Sequence, residues 1–514
     1  MKRRLMVQGL RSGGPITGAI VNALMGTLIA GAVGGLAGCS SFATSQPLEP
    51  ANVGELVGTR IDPPAAATPS RAPSGQPSPA TGVASPLSAI VPDLPWDRFF
   101  TEPRLQALIR LALENNRDLR VAALNVEQAR AQAAQRDADL WPTVNAGISG
   151  TRVPTNVGGV STTVTGGLAT AAYEVDLSGR LRQASTAAQE QLRASEFVQA
   201  AARASLIAAV AAAHVNLRAD EALLAITQDT LRSRAEGLQV VQGRVKAGAA
   251  SALDETQAQA LLQAARAALA QVKRQQALDE SSLVLLIGRP LPGDLPASQP
   301  ADRPSPSAAP AGAPAAATLP SVLPNDLPSN VLTRRPDIAA AEAQLRASQA
   351  NVEAARLALF PRISLTASFG QASKDLGSLF AGGTWVWGVA PQLLAPIFDA
   401  GRLRAAQAQA QALAQSNLAQ YEKAIQVAFK EVRDALAAQA TLGEQLQALN
   451  LQLQAEAERA RMSELRWKLG ASAYIDVLDA QRSLYAAQTA WVQLRAQQQV
   501  NEGTLYKVLG GGVN

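Results

Sequence analysis

Two long stretches of this chain repeat each other at a spacing that does not slip. Asp176, Gly179, Arg180, Leu181 and Arg182 are matched by Asp399, Gly401, Arg402, Leu403 and Arg404, and the two glycines stand 222 residues apart. Arg244, Lys246, Gly248 and Asp254 are matched at the same offset of 222 by Arg466, Lys468, Gly470 and Asp476, and so are Ala258-Gln259 by Ala480-Gln481. Upstream of each copy, Asp118 pairs with Asp337 and Trp141 with Phe360 at an offset of 219. One supersecondary unit is therefore used twice. The absence of any insertion over the part that keeps the 222-residue offset fits helices, whose register an insertion would break.

The segments between these markers are legible from period and punctuation. Residues 105–140 carry helical spacing and stop at Trp141-Pro142, since proline cannot continue a helix. Residues 143–177 turn to Thr, Val and Gly in alternation, which predicts two strands joined near Gly158-Gly159. From Gly179 to Lys246 there is no proline, and Gly248 supplies a helix stop. Residues 253–287 are helical again. The second copy predicts a helix over 336–359, strands over 362–370 and 385–398, a long helix over 401–469, a turn at Gly470 and a helix over 474–509. At 1.5 Å per residue each long helix spans about 100 Å, and two short ones end to end reach about as far. Each copy can thus set two short helices along one long one. Helices this long need neighbours, and their abundant alanine lets neighbours come close.

The ends and the charge bound the rest. Lys2, Arg3, Arg4 and Arg11 precede an apolar stretch that closes on Leu36-Ala37-Gly38-Cys39, the pattern of a secretory signal. Cys39 is the only cysteine, so no intrachain disulfide forms. Of 46 basic residues, four fall in the first 38 with no acidic residue among them, leaving 42 against 41. The excess charge belongs to the signal and gives no reason to expect nucleic acid. The resulting division is signal 1–38, coil 39–100, first repeat 101–289, Pro/Ala-rich linker 290–328, second repeat 329–509 and a floppy tail 510–514. No stretch after the signal reaches the length of a spanning helix, residues 204–215 being too short and holding His214. A membrane crossing would have to use strands. Four strands per chain fall short of the roughly eight that close a transmembrane barrel. Either the sheet lies outside a membrane or several chains close one barrel. Trp141, Tyr173, Phe360, Trp385 and Trp387 cluster near strand ends, as an interfacial girdle would.

The run from Leu327-Pro328 through Arg334-Arg335-Pro336-Asp337-Ile338, with Ala341-Glu342, Leu345 and Phe360-Pro361 beyond it, resembles the outer-membrane factor (TolC-like) family. Leu36-Ala37-Gly38-Cys39 resembles the signal of that family's lipoprotein branch, which serves RND-type multidrug efflux pumps. The resemblance implies a mainly α fold with a small membrane β part. In it a homotrimer completes a twelve-stranded β-barrel and a long α-helical barrel. It also implies an outer-membrane location with Cys39 acylated, Ser40 in place of Asp after it pointing to that membrane, and no cofactor beyond the covalent lipid. Arg244, Lys246, Gly248, Asp254, Arg466, Lys468 and Gly470 would lie at the periplasmic tip that a membrane-fusion adaptor contacts, with an inner-membrane transporter supplying energy. The bare electrostatic account of the same cations is that they favour helix C-termini. Asp476 and Asp479 would line the closed aperture as two carboxylate rings that favour cations. The first copy has Asp254 but Gln257 in the second position, so only the second copy supplies both rings. Ser472 stands where a family member has a basic residue that ties the entrance shut. No nucleophilic triad, Cys/His metal spacing or phosphate loop is present, so no enzyme is expected. Two other readings stay open at this point: the same fold serving type I protein secretion, and a non-channel coiled-coil scaffold lipoprotein.

Overall fold

The computed structural model describes residues 60–61, 95–154, 159–293, 295–296, 327–328 and 334–511. The chain divides into Met1–Pro47 and Leu48–Asn514, and all described residues belong to the second unit. The signal, Cys39, Ser40, Gly158, most of the 290–328 linker, residues 329–333 and residues 512–514 lie outside the described residues.

In order along the chain come β1 (Arg60–Ile61), α1 (Trp96–Phe99), α2 (Pro103–Asn115), α3 (Arg117–Ala138), β2 (Thr143–Pro154), β3 (Val160–Val175), α4 (Arg180–Lys246) and α5 (Ala252–Ile287). Then follow β4 (Leu327–Pro328), α6 (Pro336–Leu357), β5 (Arg362–Ser373), β6 (Trp385–Leu394), α7 (Arg402–Lys468) and α8 (Tyr474–Val508). The single helix expected over 105–140 is broken at Asn116, whose side chain accepts the Leu119 N–H at 2.8 Å and so starts α3 afresh. The last strand stops at Leu394 rather than 398, because Leu394 lies opposite Arg362, where its partner β5 begins, and nothing is left to pair beyond it.

The repeated Asp-Gly-Arg-Leu-Arg signature is the device that turns sheet into long helix. Gly179 and Gly401 both hold a positive φ, 83° and 85°, immediately before α4 and α7. In the first copy Asp176 accepts the Arg182 N–H at 3.0 Å, and in the second Asp399 accepts the Leu403 N–H at 2.8 Å. Each carboxylate satisfies a first-turn amide that has no partner within its helix.

The Arg-Pro-Asp motif is also structural. Arg335 is buried, donates to Asp337 (2.7 Å) and Glu431 (2.6 Å), and reaches the carbonyl of Val508 at 3.3 Å. It ties the start of α6 to α7 and to the end of α8. At the matching place in the first copy, Asn116 Nδ2 donates to the carbonyl of Leu286 at 2.8 Å, near the end of α5. One tie is thus built twice, from a neutral amide and from an ion cluster.

Helix α4 packs on α3 and α5 of its own copy and on α6 and α8 of the other, while α7 packs on α6 and α8. The second pair of short helices is therefore shared by both long helices. Small residues such as Ala187, Ala194, Ala204, Ala211 and Ala222 fill the buried side of α4. A core of Phe99, Phe100, Leu108, Ile109, Ile207, Leu283, Ile287 and Tyr506 fixes α1 and α2 against α4. Ile338, Leu345, Ile425, Val432 and Leu505 form its counterpart around α6, α7 and α8. Contrary to expectation, α4 does contain a stretch long and apolar enough to cross a membrane. It is a core helix, however, holding buried His214, Arg218 and Asp220. His214 Nε2 lies 3.1 Å from Glu102, whose other oxygen is 3.5 Å from Arg218.

The four longer strands form one antiparallel sheet in the order β2-β3-β5-β6, with β1 and β4 paired separately. Register puts Tyr173 opposite Leu365, Phe369 opposite Trp387, and Ile363 opposite Leu393. With side chains alternating, Val144, Ala171, Tyr173, Ile363, Leu365, Phe369, Trp387, Val389 and Leu393 share one face. Asn145, Thr170, Ser364, Thr366, Ser368 and Gln392 share the other. The apolar face is not covered by the chain's own helices: Val144, Trp387 and Leu393 are about 70 to 80% exposed.

The tail differs from expectation. Gly510 holds φ 89°, and the Gly510 and Gly511 amides donate to Lys507 (3.0 Å) and Tyr506 (2.9 Å), closing α8 with both glycines buried.

Candidate functional site

The two glycine turns lie far from the sheet, at the other ends of the long helices. Both have the same closure. The Gly248 N–H bonds Val245 O (3.0 Å) and the Ala249 N–H bonds Arg244 O (2.8 Å), while Gly470 and Ala471 repeat this with Trp467 (3.0 Å) and Arg466 (2.8 Å). Such crossed bonds need a left-handed residue, and Gly248 and Gly470 supply it at φ 73° and 75°.

Beyond the turns the copies diverge. In the first, Ser251 and Asp254 form a reciprocal capping box: the Asp254 N–H donates to Ser251 Oγ (3.2 Å) and the Ser251 N–H donates back to Asp254 Oδ2 (3.0 Å). Asp254 is thereby committed to starting α5. In the second, Ala473 occupies the place of Ser251 and no side chain caps α8. Asp476, the counterpart of Asp254, is left exposed with a carboxylate that makes no cap.

Asp479 is held differently. Arg459 donates to its Oδ2 at 2.7 Å and Arg482 to its Oδ1 at 2.6 Å, and Arg459 also reaches Glu456 at 3.2 Å. The Arg459 hydrogen bond above all, with Arg482 beside it, keeps the Asp479 carboxyl below its ordinary value. All three members are peculiar to the second copy, because Gly237, Gln257 and Ala260 stand at the matching places of the first. Sequence reasoning singled out Asp479 but missed its partners. Counting outward from Gly470 along an antiparallel hairpin brings 459 opposite 481, and that signal would have found them.

The remaining tip residues knit the turns together. Arg244 lies over the Trp467 ring at 4.2 Å, and Trp467 packs on Tyr474 with centroids 4.8 Å apart and the ring planes tilted by 46°. Val241, Ala258, Val477 and Leu478 complete this small core. A Cβ on Gly237 would lie 2.8 Å from the Tyr474 hydroxyl, so the glycine makes room for that ring. Lys468 pairs with Glu464 at 2.6 Å, and Lys246 and Arg466 are exposed, as are Leu253, Leu469 and Ile475 around them. The tip presents cations beside apolar side chains, with one bare carboxylate per chain. Among the described residues no cluster of His, Cys, Asp and Glu has the makings of a metal centre.

Residues 108–289 and 327–511 match the family model described as "Outer membrane efflux protein". The toluene efflux pump outer membrane protein TtgC of Pseudomonas putida is 41% identical over 424 residues, covering 81% of this chain and 85% of that protein. The outer membrane protein OprJ of Pseudomonas aeruginosa is 38% identical over 431 residues, 82% of this chain and 87% of its own length. Among solved structures, the open state of the Neisseria gonorrhoeae MtrE outer membrane channel superposes with a TM-score of 0.73 at 37% identity, covering 88% of this chain and 98% of that one. Two repeats, a long-helix layer and a sheet with a bare apolar face are thus the parts of a channel, and of no enzyme. The chain belongs to the outer membrane efflux protein family, and it is the outer-membrane component of an efflux pump.

Proposed function

We propose that three copies of this chain form a continuous exit duct, anchored by an acylated Cys39 and opened at the glycine-turn tip. The observation that carries this reading is a coincidence of edges. The sheet ends on unpaired β2 and β6, and the helix layer ends on α3 and α5 at one side and α7 at the other. In lipid an open sheet edge is too costly to persist, so copies must pair β6 of one with β2 of the next. Three copies give twelve strands, within the range of known barrels. The apolar face then meets lipid and the Ser/Thr/Asn/Gln face meets water.

At the tip, Lys246, Arg466 and the exposed Leu253 and Leu469 suit a periplasmic adaptor, as do Arg244, Lys468 and the two turn glycines that shape the surface. Asp254 serves this surface by fixing the start of α5. An RND-type inner-membrane transporter would drive the pump. Several relatives are named for toluene, solvent or antibiotic efflux, which favours small, largely apolar toxic compounds as cargo. Asp476 forms the cation-favouring ring of the aperture. Asp479 contributes to it when its arginines let go.

Planar-bilayer recording of the purified oligomer tests the reading. Small cation-preferring currents are expected from the wild type. Asp476→Asn should lower the cation preference, and Asp479→Asn should chiefly raise conductance by releasing Arg459. No current from a well-folded oligomer would sink the duct, and currents indifferent to both changes would move the aperture elsewhere. Intact mass of the mature protein reports the lipid on Cys39 directly.

A further inference from the structure

Midway along the helices, about 40 Å above the tip by rise per residue, a cleft opens where α4, α5 and α8 meet. Asp220 of α4 and Asp279 of α5 both line it. Asp220 is only 5% exposed, and its Oδ2 has no hydrogen-bond donor. Its neighbour across the helix interface is the Asp279 carboxyl, within hydrogen-bonding reach. Asp279 itself accepts from Gln275 Nε2 at 3.1 Å. The other charged residue lining the cleft is Arg274, and among the described residues no ion pair joins it to either acid. Helix α8 contributes only the neutral amides of Gln493 and Gln497 as polar groups.

Two carboxylates in contact, one of them buried and lacking a donor, cannot both stay charged without cost. We propose that Asp220 and Asp279 share a single proton that clamps α5 to α4, and that losing this proton loosens the column carrying the first tip turn. With the proton present, a carboxylic acid donates to a carboxylate, a short and strong bond. Without it, like charges face each other across the interface. Burial first, and Asp279 second, push Asp220 up to about 7 from an ordinary 3.8. A folded value above the unfolded one means that the clamp is complete below about pH 4. It weakens as pH rises toward about 7 and changes no further above that. The periplasm, open to the outside through porous outer membranes, is a compartment in which such a range has consequences.

The test is amide hydrogen exchange on the intact oligomer at pH 5, 6, 7 and 8, corrected for intrinsic rates and read over residues 216–223 and 272–282. In the wild type the local opening constant should rise by up to tenfold per pH unit between 5 and 7 and then level off. Asp220→Asn keeps a donor toward Asp279 at every pH, so its profile should be flat. Asp279→Asn should flatten it likewise and stands in if the first variant fails to fold. Glu502 of α8 is also pushed up to about 7 by burial, so Glu502→Gln serves as control and should leave the slope over these two segments intact. A wild-type profile without slope overturns the proposal, and so does a slope that survives both asparagine variants. If opening at pH 8 instead follows removal and return of Mg2+ or Ca2+ in the wild type alone, a cation rather than a proton bridges the pair and the proposal fails.

Discussion

Single residues at the turns differ in what they hold, and the difference is measurable. Gly248 and Gly470 sit at positive φ with nothing within 4 Å of a built Cβ, whereas a Cβ on Gly288, also at positive φ (78°), would stand 2.4 Å from the Asn115 carbonyl oxygen. Gly248→Ala should therefore cost about 1–2 kcal/mol, the left-handed penalty alone. Gly288→Ala should cost clearly more, because the end of α5 must also back away from α2. Reversible guanidinium unfolding in detergent ranks the two, and an equal loss would contradict this geometry. The matched aspartates separate in the same way. Asp254→Ala removes a capping box and should cost about 1 kcal/mol. Asp476→Ala removes no cap and should leave stability within about 0.5 kcal/mol while changing ion preference. Equal destabilisation by both would show that Asp476 caps α8 after all. The sequence alone paired Asp254 with Asp476, since position and residue type coincide. Their divergence turns on Ser251 against Ala473, a difference without meaning until the helix starts are fixed.

At the level of elements, the doubled tie between the start of each upper short helix and the end of its lower partner invites a comparison. Arg335→Met strips Asp337 and Glu431 of their shared cation and Val508 of its donor, and should cost about 2–4 kcal/mol. Asn116→Ala breaks one neutral bond and one cap, and should cost nearer 1–2 kcal/mol. Burial pulls the Asp337 carboxyl upward, but Arg335 outweighs it and holds the value below 3.8. Stability from this group is thus present above about pH 4 and lost as pH falls through the lowered value. Arg335→Met should erase that acid-side loss in unfolding curves recorded from pH 5 down to 3. Period, proline and glycine made the helices, strands and turns legible, because each acts within a few residues of itself. The break at Asn116, the early end of β6 and the ordered Gly510 and Gly511 were not legible. The first two depend on partners far along the chain, the Leu286 carbonyl for Asn116 and the start of β5 at Arg362 for β6, whereas Gly510 and Gly511 close α8 by local bonds that a run of glycines does not announce. The Arg335 motif was read as a family mark, while its physical task appeared only once α7 and α8 were in place beside it.

For the whole molecule, the unpaired β2 and β6 and the bare outer sides of α3, α5 and α7 predict association edge to edge. Cysteines placed along β2 and β6, with Cys39 the only native cysteine, should crosslink between chains into dimers and closed trimers in membranes. Crosslinks confined within one chain would rule out the shared barrel. The four strands of the larger sheet were legible in the sequence, though not the short β1–β4 pair, and so was the impossibility of closing a barrel with four. Which edges remain free was not, because strand order depends on pairings between β3 and β5, nearly two hundred residues apart in the chain. The uneven tip has a mechanical sequel. The α5 start is laced by two reciprocal bonds from backbone N–H groups to side-chain oxygens, whereas the α8 start relies on Tyr474 wedged between Trp467 and Gly237. A laced joint resists bending in every direction, while a wedged one swivels about its ring. A pull shared equally by both turns would therefore be taken up almost wholly by the second, and the duplicated hairpins would behave as a stiff post beside a hinge.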